Sequence, residues 1–209
     1  MTRNTIPPLH RPRRPLLPKR DNRPIPGDRV QLDTCKLGHG KYLYTAIDDC
    51  TRYLVVQVYP RRTSANTLLF LEYVIEEMPI GIQRLQTDHG TEFTAYAIRD
   101  QLFEWHIRWR LTGVRAPHLN GKVERAQKTV LEEFFTTIDL NRPDLNDRLA
   151  EWQDDYNRNR IHGSLGKTPM QRTIELYPQI PSAEDLYDRF DEMQRYELAR
   201  LAAGVKRSR

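Results

Sequence analysis

Three stretches of strand-like sequence follow one another closely between residues 29 and 59. Residues 29–37 alternate apolar and polar side chains, and residues 41–47 and 52–59 are rich in β-branched and aromatic side chains. Residues 38–40 and 48–51 supply the Gly and Asp of two short turns between them. Strands joined by turns this short pair antiparallel, so the sequence predicts a three-stranded meander that any fold of this chain has to accommodate.

The hydrophobic period then changes from that of a strand to that of a helix. Leu68, Leu71 and Val74 recur at helical spacing behind Ser64, which we expect to be the N-cap, and Pro79 ends the helix. Further along, the pattern predicts a strand at 82–86, a helix at 93–103, a strand at 106–111 and a helix at 120–138. This order predicts an α/β fold in which helices flank a mixed five-stranded sheet.

Beyond Pro143 the sequence is more acidic and favours helices. Leu145, Leu149 and Trp152 form an amphipathic stripe, and residues 183–203 have the composition of a charged helical tail. We therefore expect three parts: an extended Pro/Arg-rich arm at 1–27, a core domain at 28–142 and a helical C-terminal extension at 143–209.

Positive charge is concentrated at the N-terminus. Of the net charge of +5, residues 1–30 contribute eight Lys and Arg against two acids, and residues 1–27 also hold seven of the fourteen prolines. Proline fixes φ and removes a backbone donor, which favours an extended chain. Two interpretations remain open: a solvated leader, or an arm that binds DNA phosphates through Arg11, Arg13 and Arg14.

Two other classes of protein do not fit the sequence. No apolar run approaches the ~20 residues of a membrane helix, and the N-terminus has no apolar stretch typical of a secretion signal. Cys35 and Cys50 form no CxxC motif and no disulfide framework. We expect a cytoplasmic protein with no membrane partner.

Three acidic residues occupy positions where they could meet. Asp33 lies within the first strand, Asp88 directly follows the strand at 82–86, and Glu124 lies in the first turns of a helix. Singly each would be an ordinary solvated or capping carboxylate. Together, on adjacent strands and a following helix, they would repel one another unless a cation offset their charge. Mg²⁺ favours such carboxylate oxygens, so the pattern predicts a divalent metal site.

The motifs around these acids resemble those of a known family. They are VQLDT at 30–34, TDHGTEF at 87–93 and HLNGKVER at 118–125, with 35 residues between Asp88 and Glu124. Downstream follow YN at 156–157, RIHGSL at 160–165 and TP at 168–169. The chain is similar to the DDE catalytic core of retroviral-type integrases and bacterial insertion-sequence transposases, over about residues 28–172. The resemblance implies an RNase H-like fold.

The resemblance also implies a chemistry. Asp33, Asp88 and Glu124 would be the catalytic residues and the ligands of two Mg²⁺ or Mn²⁺ ions, which lie roughly 3.5–4 Å apart in two-metal sites. The implied enzyme is a polynucleotidyl transferase with endonuclease activity, which cleaves DNA at the ends of a mobile element and joins the freed 3′-hydroxyl to target DNA. Because two ends have to be processed, we expect a homo-oligomer on DNA. Because the substrate is DNA, we also expect an association with the nucleoid.

Several residues beside the acids are candidate DNA contacts. Lys122, Arg125 and Lys128 lie on the helix of Glu124, although Lys128 could pair with Glu124 instead. Further candidates, each with a local alternative, are the possible helix cap Asn120, the loop residue His89, and Arg160 and His162 at the end of a helix.

Two more residues of the Asp88 loop need a role. We expect Gly90 to let the loop turn sharply beside the substrate, since glycine tolerates a positive φ; a simple turn glycine is the alternative. Glu92 lies close to Asp88 in sequence and is left outside the metal site.

A second function remains open beside the complete transposase. Relatives commonly place helix-turn-helix domains before the core, and the 27 residues that precede this core show no such pattern. The chain could be a truncated or accessory fragment that binds DNA or a partner without independent transposition. It could also depend on a separately encoded helix-turn-helix partner.

Overall fold

The computed structural model describes residues 23–112 and 120–202, without the side chains of residues 192–194 and 196–202. Arg11, Arg13 and Arg14 of the predicted arm therefore lie outside the described residues. In the described part of the chain, no helix is long and apolar enough to cross a membrane.

A mixed five-stranded sheet forms the centre of the molecule. Its strands lie in the order β3-β2-β1-β4-β5. The first three strands pair antiparallel, as the meander predicts, whereas β4 pairs parallel with both β1 and β5. The strands are β1 (Val30–Gly38), β2 (Lys41–Asp48), β3 (Leu54–Tyr59), β4 (Arg84–Thr87) and β5 (Arg108–Leu111).

Within residues 23–112 and 120–202, six α-helices accompany the sheet. They are α1 (Ser64–Glu77), α2 (Tyr96–Glu104), α3 (Gly121–Glu133), α4 (Leu145–Arg158), α5 (Pro169–Glu175) and α6 (Ala183–Ala202). The predicted α/β class, with helices on a mixed sheet and further helices in the C-terminal part, is confirmed.

The ends of α1, α2 and α3 differ from the prediction, and α2 begins at Tyr96 and not at residue 93. The N-cap of α1 is Thr63, not Ser64, because Thr63 has the extended backbone of a cap and its hydroxyl accepts the Asn66 N–H at 3.2 Å. Helix α3 ends at Glu133 and does not reach residue 138. Beyond it, the hydroxyls of Thr136 and Thr137 donate to backbone carbonyls and so favour turns over a continued helix.

The sheet is covered on both faces. Side chains of β2 alternate between the two, so that Tyr44 and Ala46 pack with α1 and α2 while Leu43 and Ile47 pack with α3 and α4. All four are almost completely buried. The apolar core is therefore two layers, one on each side of the sheet, and β1 runs between them.

Helix α4 also covers the outer edge of β3. Asn157 accepts the Leu54 N–H at 2.9 Å and donates to the Leu54 carbonyl at 2.8 Å. Gln153 accepts the Val56 N–H at 2.7 Å, and Asn146 accepts the Val58 N–H at 2.9 Å. Side-chain amides of α4 thus take the hydrogen-bonding positions that a sixth strand would occupy on this edge.

Candidate active site

Asp33 lies on β1 and faces α3. Leu32, its neighbour, packs in the core layer of α1 and α2, so alternation along the strand turns Asp33 to the opposite face. Asp33 is half-buried, and its Oδ1 accepts the Thr34 N–H at 2.7 Å. One of the three predicted acids is therefore fixed by a buried strand.

Asp88 directly follows β4, which is the parallel neighbour of β1. The register pairs Val30 with Leu85 and Gln31 with Gln86. The same register, continued by two residues beyond the Gln31–Gln86 pair, would set Asp33 beside Asp88. The Oδ1 of Asp88 accepts the Gly90 N–H at 2.9 Å, which shapes the loop behind the acid. Asp33 within β1 and Asp88 just after β4 therefore belong to adjacent strands, and the Asp88 charge adds to the raised pKa of Asp33.

Glu124 reaches the same region from the first turn of α3. The start of this helix is held to the sheet by two strand side chains. Gln31 accepts the Val123 N–H at 3.3 Å, and Gln86 donates to Oδ1 of Asn120 at 3.3 Å. Because its amide oxygen is engaged with Gln86, Asn120 stands at the N-cap position without capping the helix. The predicted side-chain cap is wrong, and Asn120 instead ties α3 to β4.

The charges of these acids interact. Burial raises the pKa of Asp33 to about 6; the Thr34 N–H acts in the opposite direction, and the Asp88, Glu124 and Glu92 carboxylates add to the rise. In residues 23–112 and 120–202, however, no three His, Cys, Asp or Glu side chains are arranged as a metal-binding cluster. The donors are all carboxylate oxygens, which suits Mg²⁺ or Mn²⁺, and their mutual repulsion is what such an ion would offset.

A buried ion-pair network supports the start of α3. Arg29 pairs with Asp49, and both side chains are almost fully buried. The Lys122 ammonium lies 3.2 Å from the same carboxylate, and Gln31 donates to it at 2.7 Å. Burial, which Asp49 opposes, lowers the pKa of Lys122. Lys122, a candidate DNA contact, is thus engaged inside the protein, and Arg29 does not belong with the exposed cations of the arm.

The sequence pattern predicts a turn at Asp49 and does not by itself predict this network. A signal was available in the predicted meander. The antiparallel register that pairs Val30 with Asp48 also sets Arg29 beside Asp49. An acid and a base opposite each other at the end of two buried strands favour a buried pair over two solvated side chains.

The other candidate contacts are near the surface. Arg125 and Lys128 are exposed on α3, and Lys128 lies 3.5 Å from Glu132, so its intrahelical partner is Glu132 and not Glu124. His89 is exposed, and its Nε2 is 2.8 Å from the Thr112 carbonyl. That contact links the Asp88 loop to the end of β5 and is the local pairing left open as an alternative.

Gly90 takes part in a turn, as expected, but not through a positive φ. A Cβ at this position would lie 2.6 Å from a carboxylate oxygen of Glu92, so the absence of a side chain allows a close approach. The loop needs glycine here for space.

Two family models described as integrase core domain match the chain, one over residues 23–117 and the other over residues 106–169. The chain belongs to the integrase core family. The matched stretch contains Asp33, Asp88 and Glu124, and it extends from the last residues of the predicted arm to the start of α5.

Two relatives of this integrase core are a viral and a bacterial protein. The ORF3 protein of Spiroplasma virus SpV1-C74, an integrase by name, is 30% identical over 146 residues, which are 61% of this chain and 40% of the relative. The transposase for transposon Tn552 of Staphylococcus aureus is 26% identical over 121 residues, which are 51% of this chain and 25% of the relative. The chain therefore spans less than half the length of these curated relatives.

Solved structures show the same fold. The simian T-cell lymphotropic virus intasome in complex with PP2A regulatory subunit B56 gamma matches with a TM-score of 0.66 at 20% identity, over 78% of this chain and 60% of that one. The HTLV-2 integrase catalytic core domain in complex with magnesium matches with a TM-score of 0.58 at 20% identity, over 70% and 96%. The predicted RNase H-like class of this integrase core is confirmed.

Proposed function

We propose that this integrase core cleaves DNA strands and joins them to target DNA in a metal-dependent reaction, with Asp33, Asp88 and Glu124 as its catalytic residues. The observation that carries the proposal is that β1, the loop after β4 and the first turn of α3 bring three carboxylates close enough to interact. Burial is the main cause of the raised pKa of Asp33, and the Asp88 and Glu124 carboxylates add to the rise. Membership of the integrase core family supports DNA integration or transposition as the general activity.

The three carboxylates would hold Mg²⁺ or Mn²⁺. A related fold, the HTLV-2 integrase core, is described in complex with magnesium, which supports this assignment. When bound, two such ions lower the pKa of an attacking water or 3′-hydroxyl and stabilise the leaving oxygen. The protein would contribute rigid placement, because Asp33 is anchored by β1 and Glu124 by a helix start that Gln31 and Gln86 tie to the sheet.

Positive side chains near Glu124 would hold the DNA backbone. Arg125 and Lys128 are exposed on the same helix, so both can approach a phosphate without breaking a buried pair. Lys122 would have to leave Asp49 to do so, and its contact with a phosphate would therefore cost more free energy than that of Arg125 or Lys128. Arg11, Arg13 and Arg14 would add further phosphate contacts from the arm, with Asn120 and His89 at the edge of the site.

The proposed reaction requires more than one copy of the chain. Two element ends have to be cut and joined together, and one matching structure is an intasome while another is a trimeric form of a catalytic core. We therefore propose that the chain acts on DNA as a homo-oligomer. A separately encoded helix-turn-helix partner would supply recognition of the element ends.

Two carboxylate substitutions test the active site. The purified chain with Mn²⁺ should nick plasmid DNA or join labelled duplexes to it, and Asp88→Asn or Glu124→Gln should abolish both products, because each removes one ligand charge while preserving shape. Asp100→Asn and Glu104→Gln are matched controls, since both acids are exposed on α2, and they should leave the activity unchanged. Gel electrophoresis separates nicked from joined DNA.

The outcome also decides between the two functions. Equal activity of the wild type and Asp88→Asn would contradict the catalytic assignment. DNA binding by a well-folded wild type that neither nicks nor joins would favour the accessory fragment.

A further inference from the structure

Glu92 is a buried carboxylate that the proposed chemistry does not use. It is 3% exposed, and its Oε1 accepts the Thr34 hydroxyl at 2.8 Å. Arg62 lies 3.5 Å from the same oxygen, but its own side chain is half exposed. The second oxygen, Oε2, is buried and makes no hydrogen bond within the described part of the chain. Such a group costs stability, so it calls for a compensating role.

Glu92 cannot join the other three acids as a ligand on the same face. It bonds to Thr34, and Thr34 projects from β1 on the side opposite to Asp33, because side chains alternate along a strand. The loop turns between Asp88 and Glu92, where the N–H groups of Phe93 and Thr94 donate to the Gly90 carbonyl. Glu92 therefore lies on the far side of the loop that carries Asp88.

An unbroken series of contacts runs from Asp33 to Asp88 through Glu92. The Thr34 N–H donates to the Asp33 carboxylate at 2.7 Å, and the Thr34 hydroxyl donates to Glu92. Gly90 packs directly on the Glu92 carboxylate, so closely that a Cβ would lie 2.6 to 2.8 Å from its atoms. The Gly90 N–H then donates to the Asp88 carboxylate at 2.9 Å.

We propose that Glu92 is a positioning residue, which holds the Asp88 loop against β1 and so sets the separation of the Asp33 and Asp88 carboxylates. This inference rests on the proposed function of those two acids as metal ligands. It explains why a carboxylate is kept buried, and why residue 90 is a glycine although its φ is not positive. Groups that orient metal ligands in this way typically change metal affinity by about 10- to 100-fold when they are removed.

The test measures Mn²⁺ binding to the full chain without DNA, by isothermal titration calorimetry, with thermal unfolding as a check of the fold. Glu92→Ala should weaken Mn²⁺ binding about tenfold or more. Glu92→Gln keeps the length and the acceptor for Thr34 and should stay within about threefold of the wild type. A merely structural role for Glu92 would lower the melting temperature and leave the Mn²⁺ affinity of the folded protein unchanged, and that result would overturn the inference.

A double-mutant cycle isolates the contact with Gly90. Gly90→Ala should weaken Mn²⁺ binding about tenfold, because the new methyl group displaces the Glu92 carboxylate. In the Glu92→Ala background the same substitution should have little further effect, since the carboxylate it would displace is gone. Effects of the two substitutions that multiply would overturn the inference.

The result separates the inference from the function on which it rests. A wild-type chain whose Mn²⁺ binding does not depend on Asp88 would overturn both. Mn²⁺ binding that is lost in Asp88→Asn but normal in Glu92→Ala would overturn the inference alone. If Glu92→Ala does not fold, Thr34 decides: Thr34→Val, which lacks the hydroxyl, should bind Mn²⁺ several-fold more weakly than Thr34→Ser, and equal affinities would overturn the inference.

Discussion

His162 shows how the fold controls the charge of a single residue. It is half-buried beside the Tyr156 ring, 6.5 Å away between centroids, and the Ser164 N–H donates to its Nδ1 at 3.3 Å. That hydrogen bond requires an unprotonated Nδ1. Burial lowers the pKa of His162 to about 4, and the charges of Arg52, Arg160 and Arg125 act in the same direction. The folded protein therefore favours the neutral ring.

The neutral ring makes stability depend on pH. The unfolded chain takes up a proton near pH 6.5, whereas folded His162 does so only near pH 4. Through His162, the free energy of unfolding is therefore highest above pH 6.5. It falls as the pH is lowered towards 4, because the unfolded chain binds the proton more tightly than the folded protein does. The full shift would be worth about 3 kcal/mol, which exposure reduces to about 1–2 kcal/mol. Between pH 7 and pH 5, the wild type should lose part of this free energy of unfolding, whereas His162→Gln, whose side chain does not titrate, should not. Urea unfolding at the two pH values measures the difference.

The control for His162 is His39, an exposed residue of the β1–β2 turn with φ near +49°. Asn tolerates that backbone conformation, so His39→Asn should keep the pH dependence of the wild type. Unfolding free energies of the wild type and His162→Gln that change in parallel with pH would contradict the prediction.

The acids of the candidate site could be chosen from the sequence, whereas their surroundings could not. Asp33 lies within a recognisable strand, Asp88 directly follows another, and Glu124 lies in the first turn of a helix. Glu92 could not be placed, because its face depends on the turn at Gly90, where two backbone N–H groups converge on one carbonyl. Lys122 was assigned to DNA because an isolated helix gives no indication that Asp49, a distant residue, lies beside it.

Helix α4 has a role that its sequence pattern does not predict. The stripe of Leu145, Leu149 and Trp152 predicts a helix that packs on the core; the two leucines are buried, and Trp152 is partly buried against the same layer. The amides of Asn146, Gln153 and Asn157 gave no comparable signal, because polar side chains on a helix are ordinarily solvated. Their function depends on the unpaired N–H and C=O groups of β3, and these become apparent only when the strand order is known.

Asn157 allows a test of this edge. Asn157→Ala removes an acceptor and a donor from Leu54, leaving two buried backbone groups without partners, each of which costs about 1–3 kcal/mol. We expect the free energy of unfolding to fall by about 2–4 kcal/mol in chemical denaturation. Asn159→Ala, an exposed position at the end of the same helix, should change it by less than about 0.5 kcal/mol. Equal effects of the two substitutions would contradict the role of α4.

At the scale of the whole molecule, the last residues of the predicted arm lie against the core. Arg23 is 3.4 Å from Asp28, and the Gly27 N–H donates to the buried Asp48 carboxylate at 3.0 Å. Gly27 has a φ of +74°, and a Cβ there would lie 2.0 Å from the Gly81 carbonyl oxygen. Residues 23–27 of the predicted arm are therefore held by the core, and a test of DNA binding by the arm has to address residues 1–22.

Deleting residues 1–22 tests the arm. The deletion removes six Lys and Arg, and each phosphate contact that is lost lowers the dependence of log K on log salt by about 0.9. DNA affinity measured by fluorescence anisotropy at several salt concentrations should therefore show a slope that is shallower by several units. Deleting residues 203–209, which removes three cations, serves as the control and should leave the slope nearly unchanged. Identical slopes for the full chain and the 1–22 deletion would support a solvated leader.

The covering of β3 by α4 has a consequence for aggregation. An open edge strand is a template on which other chains can add as further strands. A fragment that ended before Leu145 would retain Asp33, Asp88 and Glu124, yet it would present the backbone groups of Leu54, Val56 and Val58 to any neighbour. Such a fragment would tend to grow into intermolecular sheets. By occupying the edge of β3, α4 therefore prevents other chains from adding strands to the sheet.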